Sequence, residues 1–322
     1  MSTATVSHVI NNTRRVTDST RERVLKAIDQ CAYYPNAHAR SLALGRSHTL
    51  GLLVSDISNP FFPELVKSIE VAAFERGYDL ILSNTNYDAT RTSNYVRRMI
   101  GRQVAGVLLM TSEIDPALID ELARKHVSVV FYNIEPCGER VSNIIVDAEP
   151  GIDEAVRHLV SLGHSAIAHI SGPRRTRAGA QRINAYRDSM WRHLPEARLA
   201  IYEGDFRVES GRRAAAEMLA AEEPPTAVLV ANDMMALGAM QQCRAAGLSV
   251  PRDISIVGFD DIAFASLSDP PLTTVSLPRS ELGRRAVEAV MMLIDHPDQQ
   301  GPGIHVSTHL VVRASTATAP IR

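Results

Sequence analysis

The chain has few of the residues that staple small or secreted folds together. Its 322 residues include only three cysteines, Cys31, Cys137 and Cys243. They are odd in number and far apart, which excludes a disulfide framework and a cysteine-based metal centre and suits a reducing cytoplasm. The first residues lack an apolar core of signal-peptide length, and no apolar run is long enough to span a membrane. A soluble, cytoplasmic protein without a membrane partner is expected. There is no Walker loop, no Gly-x-Gly-x-x-Gly after a strand, no nucleophile elbow and no His-Glu-x-x-His. No catalytic residue, cofactor or enzyme activity is therefore expected. His158, His164 and His169 fit no usual zinc spacing, so no metal site is assigned to them.

What is present is ordinary in amount and uneven in distribution. Hydrophobic residues make up 45% and charged residues 22%, globular values with room for two or three domains. Residues 1–50 carry Arg14, Arg15, Arg21, Arg23, Lys26, Arg40 and Arg46 against Asp18, Glu22 and Asp29, a net +4. The whole chain is at −2, which leaves −6 for the rest. A basic head on an acidic body points to a polyanionic partner for the head alone.

The head reads as helices. Val6, Val9 and Ile10 share one face of a helix over Thr3–Asn11, which Ser2 or Thr3 can cap. A second helix runs from Thr17–Thr20 to about Cys31, with Val24, Leu25 and Ile28 as its buried face. Pro35 ends it at the tyrosines, Asn36 can cap two further turns, and Gly45 can stop them. So short a helix is marginal alone, and the stretch from Tyr33 to Leu53 reads as a conditional hinge or, equally, as an ordinary linker.

From Thr49 onward apolar runs alternate with helical patterns. Strand-like runs fall at Leu50–Val54, Leu80–Leu82, Val104–Met110, Val127–Phe131 and Val141–Asp147. A second series follows at Ala166–Ile170, Leu199–Tyr202, Ala227–Val230 and Ile254–Gly258. Helical stretches lie between successive runs. This alternation implies an α/β body of two doubly wound parallel-sheet lobes, with a ligand cleft between the carboxyl ends of their strands.

The motifs resemble the LacI/GalR family of bacterial transcription repressors, in family order and over nearly the whole chain. They are Ser2–Asn11, Thr20-Arg21-Glu22-Arg23-Val24, Tyr34-Pro35-Asn36 through Leu42, Ser58-Asn59-Pro60-Phe61-Phe62, Ser171-Gly172-Pro173, Arg182, Ala231-Asn232-Asp233, Val257-Gly258-Phe259-Asp260-Asp261 and Pro271-Leu272-Thr273-Thr274-Val275. The resemblance implies a helix-turn-helix head and hinge helix over residues 1–46 and an effector-binding body over 47–322. The body is similar to type I periplasmic sugar-binding proteins. Lobe one is expected at 47–147 plus 279–303, and lobe two at 148–277 plus 304–316. The implied partners are pseudo-palindromic operator DNA, a small-molecule effector and a second copy in a homodimer. The implied DNA contacts are Thr3, Ala4, Thr5, Ser7, His8 and Asn11 on the recognition helix, with Asn36, Ala39, Arg40 and the wedging Leu42 on the hinge. The chain starts inside the signature, with Met1 where relatives have Val. The first helix is expected to be missing, and operator binding by the chain as written to be poor. A misread start codon, or a cytosolic sensor or solute-binding protein that does not bind DNA, would each account for this.

The strand-end polar residues are the effector candidates: Asn59 and Phe61, Asn133, Arg182, Phe206, Asn232 and Asp260. Arg, Asp and Asn supply the paired donors and acceptors that vicinal hydroxyls need, and the two Phe rings supply flat apolar faces. The positions that read purines in one branch of the family are Thr176 and Ala178, which lack the matching groups. The expected effector is therefore a carbohydrate, a sugar or sugar derivative.

Overall fold

The computed structural model of the protein describes residues 2–11, 14–32, 47–111, 113–125, 127–134 and 138–321. The hinge candidates Asn36, Ala39, Arg40 and Leu42 lie outside the described residues, as does Cys137. The head contains α1 (Thr3–Asn11) and α2 (Asp18–Gln30). Ser2 opens α1: its Oγ accepts from the Thr5 N–H at 3.2 Å, satisfying one of the unpaired amides of the first turn. Val9 and Val24 are buried, while Thr3, Ala4 and Ser7 stay exposed on α1. The expected burial of Leu25 is corrected, since it is 50% exposed. The nine-residue α1 covers the stripe of α2 through Val24 and leaves Leu25 outside.

The body begins with β1 (Thr49–Val54), α3 (Phe61–Phe74), β2 (Asp79–Asn84), α4 (Ala89–Gly101), β3 (Gly106–Met110), α5 (Pro116–Arg124), β4 (Ser128–Tyr132) and β5 (Val141–Asp147). The chain crosses to α6 (Glu149–Ser161), β6 (Ile167–Ser171), α7 (Arg177–His193), β7 (Ala200–Glu203), α8 (Val208–Leu219), β8 (Ala227–Val230), α9 (Asp233–Ala245), β9 (Ser255–Asp260), α10 (Ala263–Leu267) and β10 (Thr273–Ser276). It returns through α11 (Arg279–Asp295) and β11 (Gly303–Ser307), then crosses a third time into β12 (His309–Val311). The sheet orders are β11-β5-β4-β3-β1-β2 and β12-β10-β9-β8-β6-β7. All described pairings are parallel except β10 with β12.

Both faces of each sheet are covered, so the central strands are continuously apolar rather than alternating. In lobe one Leu50, Leu52, Val54, Leu108 and Val130 pack with Leu65, Ile69, Ala286 and Val290 of α3 and α11. The alternate residues Leu53, Val107, Leu109, Val129 and Phe131 pack with Val96, Met99, Leu118 and Leu122 of α4 and α5. Lobe two buries Ile167, Leu229, Val257 and Phe259 against α6 and α7, and Ala168, Ile170, Val228 and Val230 against α8 and α9.

Sheet membership shifts one expected boundary. The final return to lobe two, expected at 304, comes after Ser307, because β11 pairs with β5 from Gly303↔Asn143 to Ser307↔Asp147. As an edge strand it buries only Val306, so it carries no apolar run that marks it in sequence. Thr308 then ties the crossings together, donating its hydroxyl to the Asp147 carbonyl at 2.9 Å and accepting from the Gly151 N–H at 3.2 Å. Among the described residues no helix is long and apolar enough to cross a membrane.

Candidate effector-binding cleft

In each sheet the strand order reverses between neighbours, β1/β3 in lobe one and β6/β8 in lobe two. Chain connections leave such a point in opposite directions and open a crevice beyond the strand ends. The two crevices face one another across a cleft lined from both lobes.

The lobe-two wall carries the charges. Thr176 caps α7 by accepting from the Gly179 N–H at 3.1 Å, which sets the helix on which Arg182 projects. The Arg182 guanidinium lies 3.8 Å from the centre of the Phe259 ring. Its Nη1 donates to the Ala231 carbonyl, and its Nη2 stands 3.5 Å from Asp260 Oδ1. Both partners of this pair are buried. Asp260 ends β9 with φ 112°, followed by Asp261 at φ 57°. Non-glycine residues held in such regions cost on the order of 1–3 kcal/mol each, so the turn must be held from outside. Arg279 does this from lobe one: it donates to the carbonyls of Asp260 and Asp261 and, through Nε, to Glu64 Oε2 at 2.8 Å. Arg313 Nη2 donates to Asp261 Oδ1 at 2.6 Å. Buried Asp233 accepts the Ile262 N–H at 2.9 Å and the Thr274 hydroxyl at 2.6 Å. Gly258 makes room for it, since a Cβ there would stand 2.1 Å from Asp233 Oδ1.

Burial pushes the Asp260 carboxyl up to about 6, outweighing the opposite pull of Arg182 and Arg279. Burial, reinforced by the nearby Asp260 charge, holds Asp233 well above the ordinary carboxylate range. Asn232 uses both ends of its amide: Oδ1 accepts from the Met235 N–H at 3.0 Å, and Nδ2 donates to the Phe206 carbonyl at 2.9 Å. Phe206, at φ 70°, lies against Gly172, where a Cβ would stand 2.1 Å from its ring.

The lobe-one wall is mostly aromatic. Asn59 Oδ1 accepts from the Phe61 N–H at 3.1 Å and turns the chain into α3, while Phe61 and Phe62 pack edge to face at 5.1 Å. Tyr87 and Tyr132 complete the wall with Ser55. Burial drives the Tyr132 phenol up to about 12 and raises Tyr87 further, so both are neutral hydroxyls at physiological pH. Ser55 donates to the Thr111 hydroxyl at 3.0 Å.

Six of the seven effector candidates line this one cleft: Asn59, Phe61, Arg182, Phe206, Asn232 and Asp260. Asn133 does not. Its Oδ1 accepts from the Val146 N–H at 2.7 Å, which fixes the end of β4 to β5 and uses the oxygen structurally. Sequence reasoning passed over Ser55, Phe62, Tyr87 and Tyr132, and counted Ala178 only for the purine-reading group it lacks; all five line the cleft. Phe62 adjoins a chosen residue, and Tyr132 closes an apolar run, so both carried a signal; Tyr87 sits in a polar turn and carried none. The histidines are separate: His158 pairs with Thr316, His164 with Thr226, Ser255 and the Ala317 carbonyl, and His169 with the Leu229 carbonyl. Among the described residues no cluster of ligands is placed to hold a metal.

Residues 1–36 match the model for bacterial regulatory proteins of the lacI family, and residues 156–316 the model for periplasmic binding protein-like domains. The chain is 36% identical over 321 residues to the HTH-type transcriptional repressor PurR of Photobacterium profundum, covering 98% of this chain and 95% of the relative. The chain belongs to the LacI family. The Vibrio campbellii repressor PurR is 37% identical, covering 97% of this chain and 94% of the relative. Among solved structures, the Lac repressor dimer bound to operator and the anti-inducer ONPF matches with a TM-score of 0.87 at 30% identity, covering 98% of this chain and 95% of that one. The transcriptional regulator CelR in complex with cellobiose matches at 0.74 and 32% identity, covering 97% and 95%. This LacI-family chain is accordingly a transcriptional repressor with an effector-binding body, and its relatives are repressors rather than enzymes.

Proposed function

We propose that the protein is an operator-binding repressor, acting as a homodimer, whose cleft takes a sugar or sugar derivative as effector. The observation that carries this reading is the buried Arg182–Asp260 pair beside Asn232 and Phe206, set opposite the rings of Phe61 and Tyr87. A fork of donors next to a carboxylate suits vicinal hydroxyls, and flat apolar faces suit the C–H face of a sugar ring. A two-fold dimer would present two heads to a pseudo-palindrome, with Thr3, Ala4 and Ser7 exposed for base and phosphate contact. The test is calorimetric titration with neutral monosaccharides and with purine bases, paired with retention of genomic palindromic duplexes at fixed salt. Saturable sugar binding that changes duplex affinity is the expected result.

A flat heterocyclic base is the second reading. It is favoured by the Tyr87–Phe206 stack, 6.0 Å between centroids at 26°, and by the identity with the repressors named PurR. Against it, the Thr176 hydroxyl is occupied by its own helix cap and a bond to the Pro173 carbonyl, and Ala178 offers only a methyl. Base binding with every sugar silent would replace the carbohydrate reading.

A further inference from the structure

The two walls of the cleft stand close together. About 50 Å³ of free space lies between them, whereas ligand sites start at roughly 300 Å³. A sugar ring or a purine base enters only when the lobes part or side chains withdraw, so contacts that join the lobes compete with occupancy. One side chain makes several of them. Arg207 of lobe two, directly before α8, donates from Nη2 to Asn86 Oδ1 of lobe one at 3.0 Å. Its Nε stands 3.9 Å from Asp56 Oδ2, and its guanidinium lies 5.8 Å from the Tyr87 ring centre. Tyr87 in turn stacks across the lobes on Phe206 at 6.0 Å. Both ends of the Arg207–Asn86 bond are seated. The Arg207 N–H donates to Asp205 Oδ1 at 3.0 Å, and the Asp205 N–H to Ser210 Oγ at 2.9 Å. Asn86 and Tyr87 form a left-handed turn at φ 55° and 57°, followed by Asp88, whose side chain caps α4 through the Arg91 N–H at 3.0 Å. The cleft lining includes Tyr87 and Phe206 but neither Arg207 nor Asn86.

We infer that Arg207 is a latch between the lobes: its bond to Asn86 holds the walls together over a space too small for an effector, and effector binding must break it. The latch rests on the reading of this cleft as the effector site, whether a sugar or a base is taken. Apparent affinity is reduced by the fraction of molecules in a conformation that admits the ligand. A latch that stabilises the narrow conformation lowers that fraction, so its loss tightens binding. A residue that touched the effector, or only kept its own loop in shape, would weaken binding when removed. The sign of the change therefore separates a latch from a support. Its size is modest, because the bond is solvent-exposed and the longer approach to Asp56 adds little at the surface.

The experiment opens the latch from each side. Arg207→Ala removes it from lobe two, and Asn86→Gly removes it from lobe one, glycine being free to keep the left-handed turn. Both residues are exposed, so neither variant opens the core. Small-angle X-ray scattering of the full chain and the variants, with nothing added, reads lobe separation, and each variant is expected to have a larger radius of gyration than the parent. Calorimetry with D-ribose, D-glucose, cellobiose and adenine reads affinity. A probe that binds the parent is expected to bind each variant about two- to tenfold more tightly, the worth of one exposed hydrogen bond. The double variant should bind it no more tightly than the better single one, because both substitutions act on one bond. Unchanged scattering in both folded variants, weaker binding by either, or gains that add in the double variant would each overturn the latch. Expansion of both variants with all four probes silent leaves the latch standing and counts against the sugar and base readings of the cleft.

Discussion

The two walls of the cleft are built from the same kind of unit, a strand end leading into a helix, yet they present different chemistry. Lobe two supplies the charged residues of the lining, Arg182 and Asp260, while lobe one supplies Phe61, Phe62, Tyr87 and Tyr132. The surroundings differ accordingly. Arg182 and Asp260 are fixed by Phe259, the Ala231 carbonyl and Arg279, and the turn after Asp260 is fixed by Arg313 and Asp233. A buried charge needs partners on every side, whereas an aromatic wall needs only a packed back. If the cleft takes the proposed effector, the charged wall of lobe two would orient it and the aromatic wall of lobe one would pack against it.

The largest test of this division is to break the charged pair. Asp260→Ala strands the Arg182 guanidinium in a buried site, and Arg182→Leu strands the carboxylate. Removing one member of such a pair costs roughly 3–5 kcal/mol of stability, read by denaturant unfolding. Effector affinity should fall by about a hundredfold or more, since truncating a buried charge partner costs several kcal/mol of binding as well. Phe61→Ala in lobe one should lower affinity less than either. A larger affinity loss from Phe61 than from Asp260 would invert the assignment of roles.

A smaller effect is expected where the lobes are joined. Arg279→Leu removes the donors that hold the Asp260 and Asp261 carbonyls and the tie to Glu64. With charged hydrogen bonds worth about 1.5–3 kcal/mol each, affinity should drop about tenfold because the strained turn relaxes. Glu64→Gln keeps an acceptor for Nε and leaves both carbonyl bonds, so its affinity should stay within about twofold of the parent. Equal losses from the two variants would mean that the lobe-one tie, rather than the turn, is what Arg279 supplies.

Much of this contrast was legible in the sequence, and the reason is periodicity. Doubly covered parallel strands must be apolar throughout, so β1, β3, β4, β8 and β9 stand out as runs, and polar residues at several of their ends, Ser55, Asn232 and Asp260, fall at the cleft. Asp260 and Asn232 stand out that way, whereas Arg182 stands out near the start of the helix after Ser171-Gly172-Pro173. Asn133 satisfies the same rule and fails it in space, because a strand-end amide serves equally well to bind a neighbouring strand. β11 and Tyr87 left no pattern: an edge strand buries one residue, and a tyrosine in a polar turn acquires its role only when the other lobe faces it.

Acid should separate two buried groups of lobe two. Burial lowers His169 to about 4, so the unfolded chain, near 6.5, takes up the proton first and stability falls as pH drops from about 6.5 towards 4. Asp260 acts oppositely: raised to about 6, it binds its proton more tightly in the folded state, and its protonation adds stability as pH falls from about 6 to its ordinary value near 3.9. Asp260→Asn removes the second contribution alone. The variant should therefore lose stability more steeply than the parent between about pH 6 and 4, by roughly 1.4 kcal/mol for each unit. Effector affinity of the parent should decline below about pH 6 as the acceptor carboxylate is lost, and the variant's should be flat there. Parallel stability curves for the two proteins would show that Asp260 is not raised.

The smallest expected effect compares two asparagines at matching places on the two walls. Asn59 turns the chain into α3 with one side-chain bond, its Oδ1 accepting from the Phe61 N–H, and among the described residues its Nδ2 has no partner. Asn232 spends both ends, capping α9 and holding the Phe206 carbonyl. Replacing Asn59 by Ala should cost about 1 kcal/mol of stability, the worth of one local hydrogen bond, with a few-fold loss of affinity from the freed donor. Asn232→Ala loses a helix cap and releases Phe206 from its positive-φ position, so it should cost about 2 kcal/mol or more. Its affinity loss should exceed that of Asn59→Ala because Phe206 loses its anchor as well. If the two variants weaken binding equally, the Asn232 amide contacts the effector directly and the anchoring of Phe206 is not what it contributes; if Asn59→Ala is the worse of the two, lobe one orients the effector after all.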